Sequence, residues 1–327
     1  MFKSLRLASA ALLCVASLFQ VAHAQGGAYP AGPIKWIVPF PPGGITDRIA
    51  RAYADNLKDA LGQPIVVENR SGGNSLIGTE MVAQAPADGR TFVSVTPPLL
   101  TGAVLYPKAN WPKDPLQVFT PVSNLIKLSN VIVVPANSPY KTVQDLIRVS
   151  KADPTPIAYG ASSLGSVIHL AMEEFGLRGG VKLNVIPYKG GPPMLTDLIG
   201  GHLGLAVDNL TNSLPHIRGG KLRALLVLSD TRNAAIPDVP TTADLDMKDF
   251  EASGWQGVAV AKGTPQHIVD RLEKEFIRIS ALPEIKRAFE GSGDVIVGST
   301  SAEFTNLIRV QGQRQQDLIR KLNIRID

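Results

Sequence analysis

Three short loops, rich in glycine and other small residues, hold the groups that could contact a ligand. They are residues 40–47 (FPPGGITD), 160–166 (GASSLGS) and 188–192 (YKGGP), and each follows a predicted strand and leads into a predicted helix. The first turn of a helix has unpaired N–H groups and the positive end of the helix dipole, and glycine lets a ligand approach the backbone closely. Such a junction can bind a carboxylate or a phosphate without a basic side chain.

Each loop also has a purely structural interpretation, because glycine-rich strand-to-helix turns occur where nothing binds. Ser162 and Ser163 are either hydroxyl donors to a ligand or helix caps. Lys189 faces either a ligand or solvent, and Asp208 either orients a ligand amine or hydroxyl or caps the next helix. Three such loops in one chain favour an anion-binding cleft, since ligands of open α/β sheets bind beyond the carboxyl ends of the strands.

Motifs for catalysis and metal binding are absent from the sequence. No G-x-S-x-G, P-loop, G-x-G-x-x-G or H-E-x-x-H pattern occurs, and the histidines after residue 24 are not at the spacing of metal ligands. We therefore expect a binding protein with no catalytic residue, no cofactor and no metal. The enzyme alternative is a serine hydrolase that uses Ser162 or Ser163 with His169. The tryptophans, Trp36, Trp111 and Trp255, are interpreted as packing residues.

The first 24 residues have the features of an export signal. Lys3 and Arg6 precede an apolar stretch at 7–19, and A-H-A at 22–24 fits the small-x-small cleavage rule. A membrane-spanning helix needs roughly 20 apolar residues, so this stretch is too short to be an anchor. The single cysteine, Cys14, lies within it. An exported chain that then has no cysteine indicates a bacterial periplasm.

Composition excludes several classes of protein. Apolar residues are 44% and charged residues 19% of the 327, which is typical neither of a disordered chain nor of a coiled coil. Removal of the predicted signal leaves 31 basic and 28 acidic residues with no polybasic block, so we expect no nucleic-acid partner. At roughly 150 residues per domain, the length predicts about two domains.

Strand and helix patterns alternate along the chain. The predicted strands are 34–40, 65–67, 92–95, 130–134, 157–159, 183–187, 205–208, 222–228 and 255–261. The predicted helices begin near residues 46, 76, 142, 166, 194, 267 and 303, and 188–193 is assigned to a loop. Repeated strand–helix units predict an α/β fold with mostly parallel sheets and helices on both faces.

Five segments in a fixed order carry a more specific pattern. They are 33–44 (PIKWIVPFPPGG) followed by Thr46 and Asp47, 61–70 (LGQPIVVENR), 187–191 (PYKGG), 214–224 (LPHIRGGKLRA) and 237–241 (PDVPT). These motifs resemble the Bug family, the periplasmic solute receptors of tripartite tricarboxylate transporters. The resemblance covers nearly all of the chain after the predicted signal.

The resemblance implies a periplasmic-binding-protein-like (Venus flytrap) fold, in which two α/β domains with mixed, mainly parallel sheets enclose a ligand cleft. Residues 25–124 and 249–327 are expected to form the first domain, and residues 125–248 the second. The implied ligand is a small carboxylate, held at one carboxylate by backbone N–H groups and waters of residues 41–46. The protein is expected to be a monomer, and its implied partners are the membrane subunits of a tripartite tricarboxylate transporter. The alternative is a periplasmic sensor or scavenger that delivers the ligand to a signalling partner.

The resemblance also implies a loop at 96–101. The implied ligand-binding residues come from five loops, of which this is one, and one strand end: Phe40, Pro42, Gly43, Gly44, Thr46, Asp47, Ser71, Gly72, Thr96, Thr101, Ala161, Ser162, Ser163, Tyr188, Lys189, Gly190, Gly191 and Asp208. Two segments depart from the family pattern. Leu76 stands where the family usually has Asn, and 96–100 (TPPLL) replaces a small, polar stretch. Both changes remove polar contacts and add apolar bulk, so they predict a ligand with an apolar or aromatic body.

Overall fold

The computed structural model describes residues 29–106, 114–162, 164–247, 250, 252–291 and 293–324. The predicted export signal lies outside these residues, as do Trp111 and Ser163. Within the described part of the chain, no helix combines the length and the apolar character that crossing a membrane requires.

The strands and helices alternate along most of the described chain. The strands are β1 (Ile34–Val38), β2 (Ile65–Asn69), β3 (Thr91–Val95), β4 (Phe119–Leu128), β5 (Asn130–Pro135), β6 (Ile157–Ala161), β7 (Leu183–Pro187), β8 (Ala206–Asn209), β9 (Leu222–Val227), β10 (Gly254–Ala261) and β11 (Val295–Ile296). The helices are α1 (Ile45–Leu61), α2 (Leu76–Ala83), α3 (Pro98–Leu105), α4 (Val143–Ala152), α5 (Val167–Gly179), α6 (Gly191–Ile199), α7 (Leu210–Arg218), α8 (Gln266–Ser280), α9 (Pro283–Glu290) and α10 (Ser301–Leu322).

The strands form two mixed sheets, with the orders β11-β4-β10-β3-β1-β2 and β7-β6-β8-β5-β9. In the first sheet β1 is parallel to β2 and β3, whereas β10 is antiparallel to β3 and β4, and β11 is antiparallel to β4. In the second sheet β6 is parallel to β7 and β8, and β5 is antiparallel to β8 and β9. The expectation that both domains contain mixed sheets is confirmed. Parallel pairs do not predominate among the described strands, because β5 and β10, which follow the passages between the sheets, run against their neighbours.

The chain passes twice between the sheets. Strand β4 ends in the first sheet at Leu128 and β5 begins the second at Asn130, while the return lies between Val227 and Gly254. The two sheets with their helices are two α/β domains, called here domain I (first sheet) and domain II (second sheet). The sequence boundaries at 124/125 and 248/249 stay predictions of where the folding units divide.

Helix α1 illustrates how local sequence determines these elements. Its apolar residues recur at helical spacing, so that Ile49 and Leu57 lie on one buried face. The helix ends at Gly62, whose φ of 65° is the left-handed conformation that glycine adopts without strain. The buried face covers the core of domain I, where Trp36 and Phe276 pack edge to face with ring centroids 5.6 Å apart.

Two segments that were expected to be loops, 96–101 from the resemblance and 188–193 from the sequence pattern, are helical in part. Helix α3 begins at Pro98, inside the predicted loop 96–101, and α6 begins at Gly191, three residues before the predicted start at Met194. Both helices have proline in the first turn. Proline is tolerated there because an N–H group at these positions would have no intrahelical acceptor, so its absence costs no helical hydrogen bond. Proline therefore marks the starts of these two helices.

Candidate functional site

A cavity of about 90 Å³, called here the cleft, lies between the two domains. Its lining follows the carboxyl ends of β1, β3, β6, β7 and β8, where open α/β sheets bind ligands. Domain I and the passages contribute Phe40, Pro41, Gly44, Ile45, Thr96, Pro97, Pro98, Leu128, Gly254 and Trp255. Domain II contributes Ser162, Ser166, Val167, Ile168, Gly190, Gly191, Pro192, Asn209 and Asn212. None of these residues has an ionisable side chain, so the polarity of the cleft comes from backbone, hydroxyl and amide groups.

The N-termini of five helices meet at the cleft, since its lining includes the first residues or caps of α1, α3, α5, α6 and α7. Helix α1 has Gly44 as its N-cap and no side-chain cap, which leaves its first N–H groups without an intrahelical acceptor. Pro97, Pro98 and Pro192 offer apolar surface instead of N–H groups. The cleft therefore combines N–H donors from some helices with apolar walls from others.

The loop before α1 is held in shape by the buried carboxylate of Asp47. This carboxylate accepts hydrogen bonds from the backbone N–H of Gly43 (3.0 Å), from Arg51 Nε (3.1 Å) and from Asn69 Nδ2 (3.0 Å). Asn69 Nδ2 also donates to the carbonyl oxygen of Phe40 at 3.0 Å. Burial raises the pKa of Asp47, but the hydrogen bonds from Arg51, Gly43 and Asn69 outweigh burial and hold the pKa below its ordinary value. The charged carboxylate thus holds the loop at 40–44 in place, directly at Gly43 and through Asn69 at Phe40.

One hydroxyl of the lining has no partner within the described part of the chain. Thr96 follows β3 and is 9% exposed, and its Oγ1 is buried without a hydrogen bond to any described group. A buried hydroxyl without a partner costs about 1–3 kcal/mol. The Thr96 hydroxyl is therefore a group that a ligand or a water in the cleft would satisfy.

Asp208 lies beneath the domain II wall and is fully buried. Its carboxylate accepts hydrogen bonds from Ser213 Oγ (2.9 Å) and from Asn212 Nδ2 (3.3 Å), and Asn212 in turn lines the cleft. Burial raises the pKa of Asp208 to about 7 despite these hydrogen bonds, and the charge of Asp294 adds to the rise. Asp208 thus positions the side chain of Asn212.

A hydrogen bond between the domains lies beside the cleft. Thr101 of α3 donates its hydroxyl to the carbonyl oxygen of Gly165 at 2.7 Å, and both Thr101 and this bond are buried. The backbone N–H of Gly165 donates to His169 Nδ1 at 3.0 Å. Burial lowers the pKa of His169 to about 4, so the imidazole is neutral at pH 7 and can accept this bond. His169 therefore helps to order the loop that contains Gly165.

The structure brings six of the predicted binding residues together in the cleft lining: Phe40, Gly44, Thr96, Ser162, Gly190 and Gly191. Eleven others lie outside that lining: Pro42, Gly43, Thr46, Asp47, Ser71, Gly72, Thr101, Ala161, Tyr188, Lys189 and Asp208. Ser163 is outside the described residues. Lys189 is exposed, and the hydroxyl of Tyr188 donates to Asp197 at 2.8 Å. Which of these residues contact a ligand stays a prediction.

Sequence reasoning missed several lining residues. Asn209 ends β8 and Asn212 lies in the first turn of α7, so the rule that ligands bind at strand ends could have found both. Trp255 was interpreted as a packing residue, and its ring does pack edge to face on Phe304 with centroids 5.3 Å apart. It also lines the cleft, to which it is brought by the second passage of the chain between the domains.

Comparisons with known proteins agree with this architecture. Residues 49–324 match the family described as tripartite tricarboxylate transporter family receptor. The chain is 37% identical to the protein BugT of Bordetella pertussis over 323 residues, which cover 98% of each chain. The solved structure of Rpa4515 from R. palustris with adipate has a TM-score of 0.85 at 32% identity, and that of the periplasmic binding protein BugD has 0.83 at 29%. Each match covers 91% of this chain and 100% of the other.

These likenesses exclude the enzyme alternative that the sequence left open. The family and the similar structures are solute-binding receptors, so the serine hydrolase interpretation is wrong. Among the described residues there is no group of acidic, histidine or cysteine side chains that could hold a metal ion. The chain therefore belongs to the tripartite tricarboxylate transporter receptor family and is a periplasmic solute-binding receptor of the Bug type.

Proposed function

We propose that this protein binds a small carboxylate in the cleft and that its domains close around the ligand. The observation that supports this most directly is the convergence of helix N-termini on a cleft that also holds the unpartnered hydroxyl of Thr96. Helix N-termini favour anions through their N–H groups and their dipoles. A carboxylate oxygen can accept from the N–H groups of α1 or α5 and from the Thr96 hydroxyl together.

The ligand proposed here has two carboxylates, or one carboxylate and an apolar body. The walls of the cleft are apolar at Phe40, Ile45 and Val167, and Trp255 adds an aromatic surface. Such walls suit a methylene chain or an aromatic ring better than a compact hydroxylated acid. The R. palustris relative was solved with adipate, a dicarboxylate with four methylene groups. Adipate is therefore the first probe.

Domain movement is part of the proposal. The cleft of about 90 Å³ is smaller than the roughly 300 Å³ or more of ordinary ligand pockets. Entry of adipate would require the domains to separate about the two passages, at Ser129 and before Gly254. Closure would bring Thr101 back to Gly165 and present a surface that membrane subunits of a tripartite transporter could distinguish from the open form.

The test is calorimetry of the exported protein with adipate, with Thr96→Val as the variant. Valine keeps the shape of threonine and removes one hydrogen bond, which is worth about 0.5–1.5 kcal/mol. The Kd for adipate should rise about 2- to 12-fold. Thr91→Val, at the other end of β3, is the matched control and should keep the wild-type Kd. The recovered ligand should be chemically unchanged.

Two results would count against the proposal. The first is that neither adipate nor any other dicarboxylate or aromatic acid binds. The second is that Thr96→Val binds adipate as tightly as the wild type and the control Thr91→Val do, since the Thr96 hydroxyl would then have no part in recognition.

A further inference from the structure

A second cavity, of about 460 Å³ and called here the rear cavity, lies beside the passage into β10. Its walls are formed by β4, the body of α5, the start of β10 and the C-terminal helix α10. Val167, Gly254 and Trp255 line both this cavity and the cleft, so they form the partition between the two. The volume is within the roughly 300–1,000 Å³ of small-molecule sites.

The rear cavity holds two buried hydrogen-bond acceptors that are unused by the described residues. Asn124 Oδ1 on β4 and Gln315 Oε1 on α10 both lack a partner, and each residue is 7% exposed. Both residues line the cavity. Buried polar atoms are almost always hydrogen-bonded, so these two oxygens indicate a bound molecule that carries hydrogen-bond donors.

The charges around the rear cavity add a second requirement. Lys127 and Arg314 are exposed residues of its lining and bring two positive charges to it. Glu174, the acidic residue of the lining, forms an ion pair with Arg178. The lining therefore contains two basic side chains and one acidic side chain, which favours an anion, and it differs from the lining of the cleft, which has no ionisable side chain.

The geometry of α10 keeps these groups in place. Gln311, one turn before Gln315, accepts a hydrogen bond from Trp255 Nε1 at 2.5 Å through its Oε1. This bond ties the helix to the partition between the two cavities, and Trp255 also packs on Phe304 of the same helix. The side chains of α10 that line the cavity are therefore anchored to the passage between the domains.

We propose that the rear cavity is a second binding site, for a small polyhydroxylated carboxylate. The hydroxyl groups of the ligand donate to Asn124 Oδ1 and Gln315 Oε1, and its carboxylate lies towards Lys127 and Arg314. No part of this ligand enters the cleft, so the site exists whether or not the cleft binds adipate.

The probe for this site is D-glucarate, and the matched ligand is adipate. Both are six-carbon dicarboxylates, and they differ in the four hydroxyl groups of D-glucarate. Calorimetry of the exported protein should show D-glucarate binding that saturating adipate does not abolish. Gln315→Met, which removes the acceptor at nearly constant volume, should raise the Kd for D-glucarate at least about fivefold.

The matched control is Gln313→Met, two residues away on an exposed position of the same helix. It should leave the Kd for D-glucarate unchanged, as should Thr96→Val in the cleft. If thermal unfolding shows that Gln315→Met does not fold, Lys127→Gln at an exposed position of the lining takes its place and should also weaken binding.

The proposal would be overturned if D-glucarate did not bind. It would also be overturned if folded Gln315→Met and Lys127→Gln bound D-glucarate as tightly as the wild type, or if Thr96→Val weakened D-glucarate binding as much as Gln315→Met does. A crystal structure that contains D-glucarate and shows only waters on Asn124 and Gln315 would overturn it as well. Failure of adipate to bind the wild type would count against the proposed function of the cleft and would leave the D-glucarate results to decide on the rear cavity.

Discussion

The wall of the cleft at Gly191 offers a sharp test of how domain II positions its polar groups. Gly191 is the first residue of α6, and its φ is not in the left-handed region, so alanine brings no backbone strain there. A Cβ at this position would lie 2.8 Å from Asn212 Nδ2 and 3.0 Å from Asp208 Oδ1. Gly191→Ala therefore changes the packing of this pair of side chains.

The size of the effect follows from these distances. Ordinary van der Waals contact begins near 3.4 Å, so the two polar atoms must move by about 0.4 to 0.6 Å. The bond between Asn212 and Asp208, at 3.3 Å already long, would break. Overpacking of a folded interior costs about 1–3 kcal/mol in the free energy of unfolding. Displacement of the Asn212 amide from the cleft should raise the Kd for adipate about 2- to 12-fold.

The assay is denaturant unfolding of wild type, Gly191→Ala and Gly204→Ala, followed by adipate calorimetry of each. Gly204 also lies in domain II, has no heavy atom within 4 Å of a Cβ and has no left-handed φ. Gly204→Ala should therefore stay within about 0.5 kcal/mol of wild type and keep its Kd. If Gly191→Ala matches Gly204→Ala both in the free energy of unfolding and in the Kd for adipate, Gly191 does not set the packing of Asn212 and Asp208.

Three further substitutions test the groups behind the cleft. Because the pKa of Asp208 is raised to about 7 in the folded protein, the folded state keeps a proton that the unfolded state loses above about pH 4. The wild type should therefore lose stability relative to Asp208→Asn as the pH rises from 4 to 7, by up to about 1.4 kcal/mol per pH unit. An equal pH dependence of the unfolding free energy in the two proteins would contradict this. The pKa of Asp47 is lowered, so its stabilising effect over Asp47→Asn should be present above pH 4 and disappear as pH falls through its folded pKa, as urea unfolding at several pH values would reveal. Thr101→Val leaves the buried carbonyl of Gly165 without its donor and should cost about 1–3 kcal/mol in thermal unfolding; an unchanged Tm would show that this interdomain bond is not made in solution.

Local sequence was sufficient to predict the junction at Gly44 and to identify the small-residue loop at Gly190, although it placed the start of α6 three residues late and missed α3. Gly44 and Gly190 mark places where a strand ends and a helix begins, and both line the cleft as N-caps. The loops that contain them are short, so the signals for strand end, turn and helix start lie within a few residues of each other. Such signals need no knowledge of distant parts of the chain.

Local sequence patterns could not predict contacts between residues that are far apart in the chain. Strand β10 inserts between β3 and β4 although more than 120 residues separate it from β4, and this pairing has no local signal. The insertion brings Trp255 to the partition between the cleft and the rear cavity. Asn124 and Gln315 are likewise nearly 200 residues apart in the chain and meet only because α10 packs on β4.

The convergence of helix N-termini between the domains should be the place where a carboxylate binds. A crystal structure of the protein grown with adipate tests it most directly. We expect one adipate between the domains, with a carboxylate oxygen within hydrogen-bond distance of Thr96 Oγ1 and of a first-turn N–H of α1 or α5. Adipate bound elsewhere on the protein, or a cleft that holds only water at concentrations where calorimetry detects binding, would contradict it.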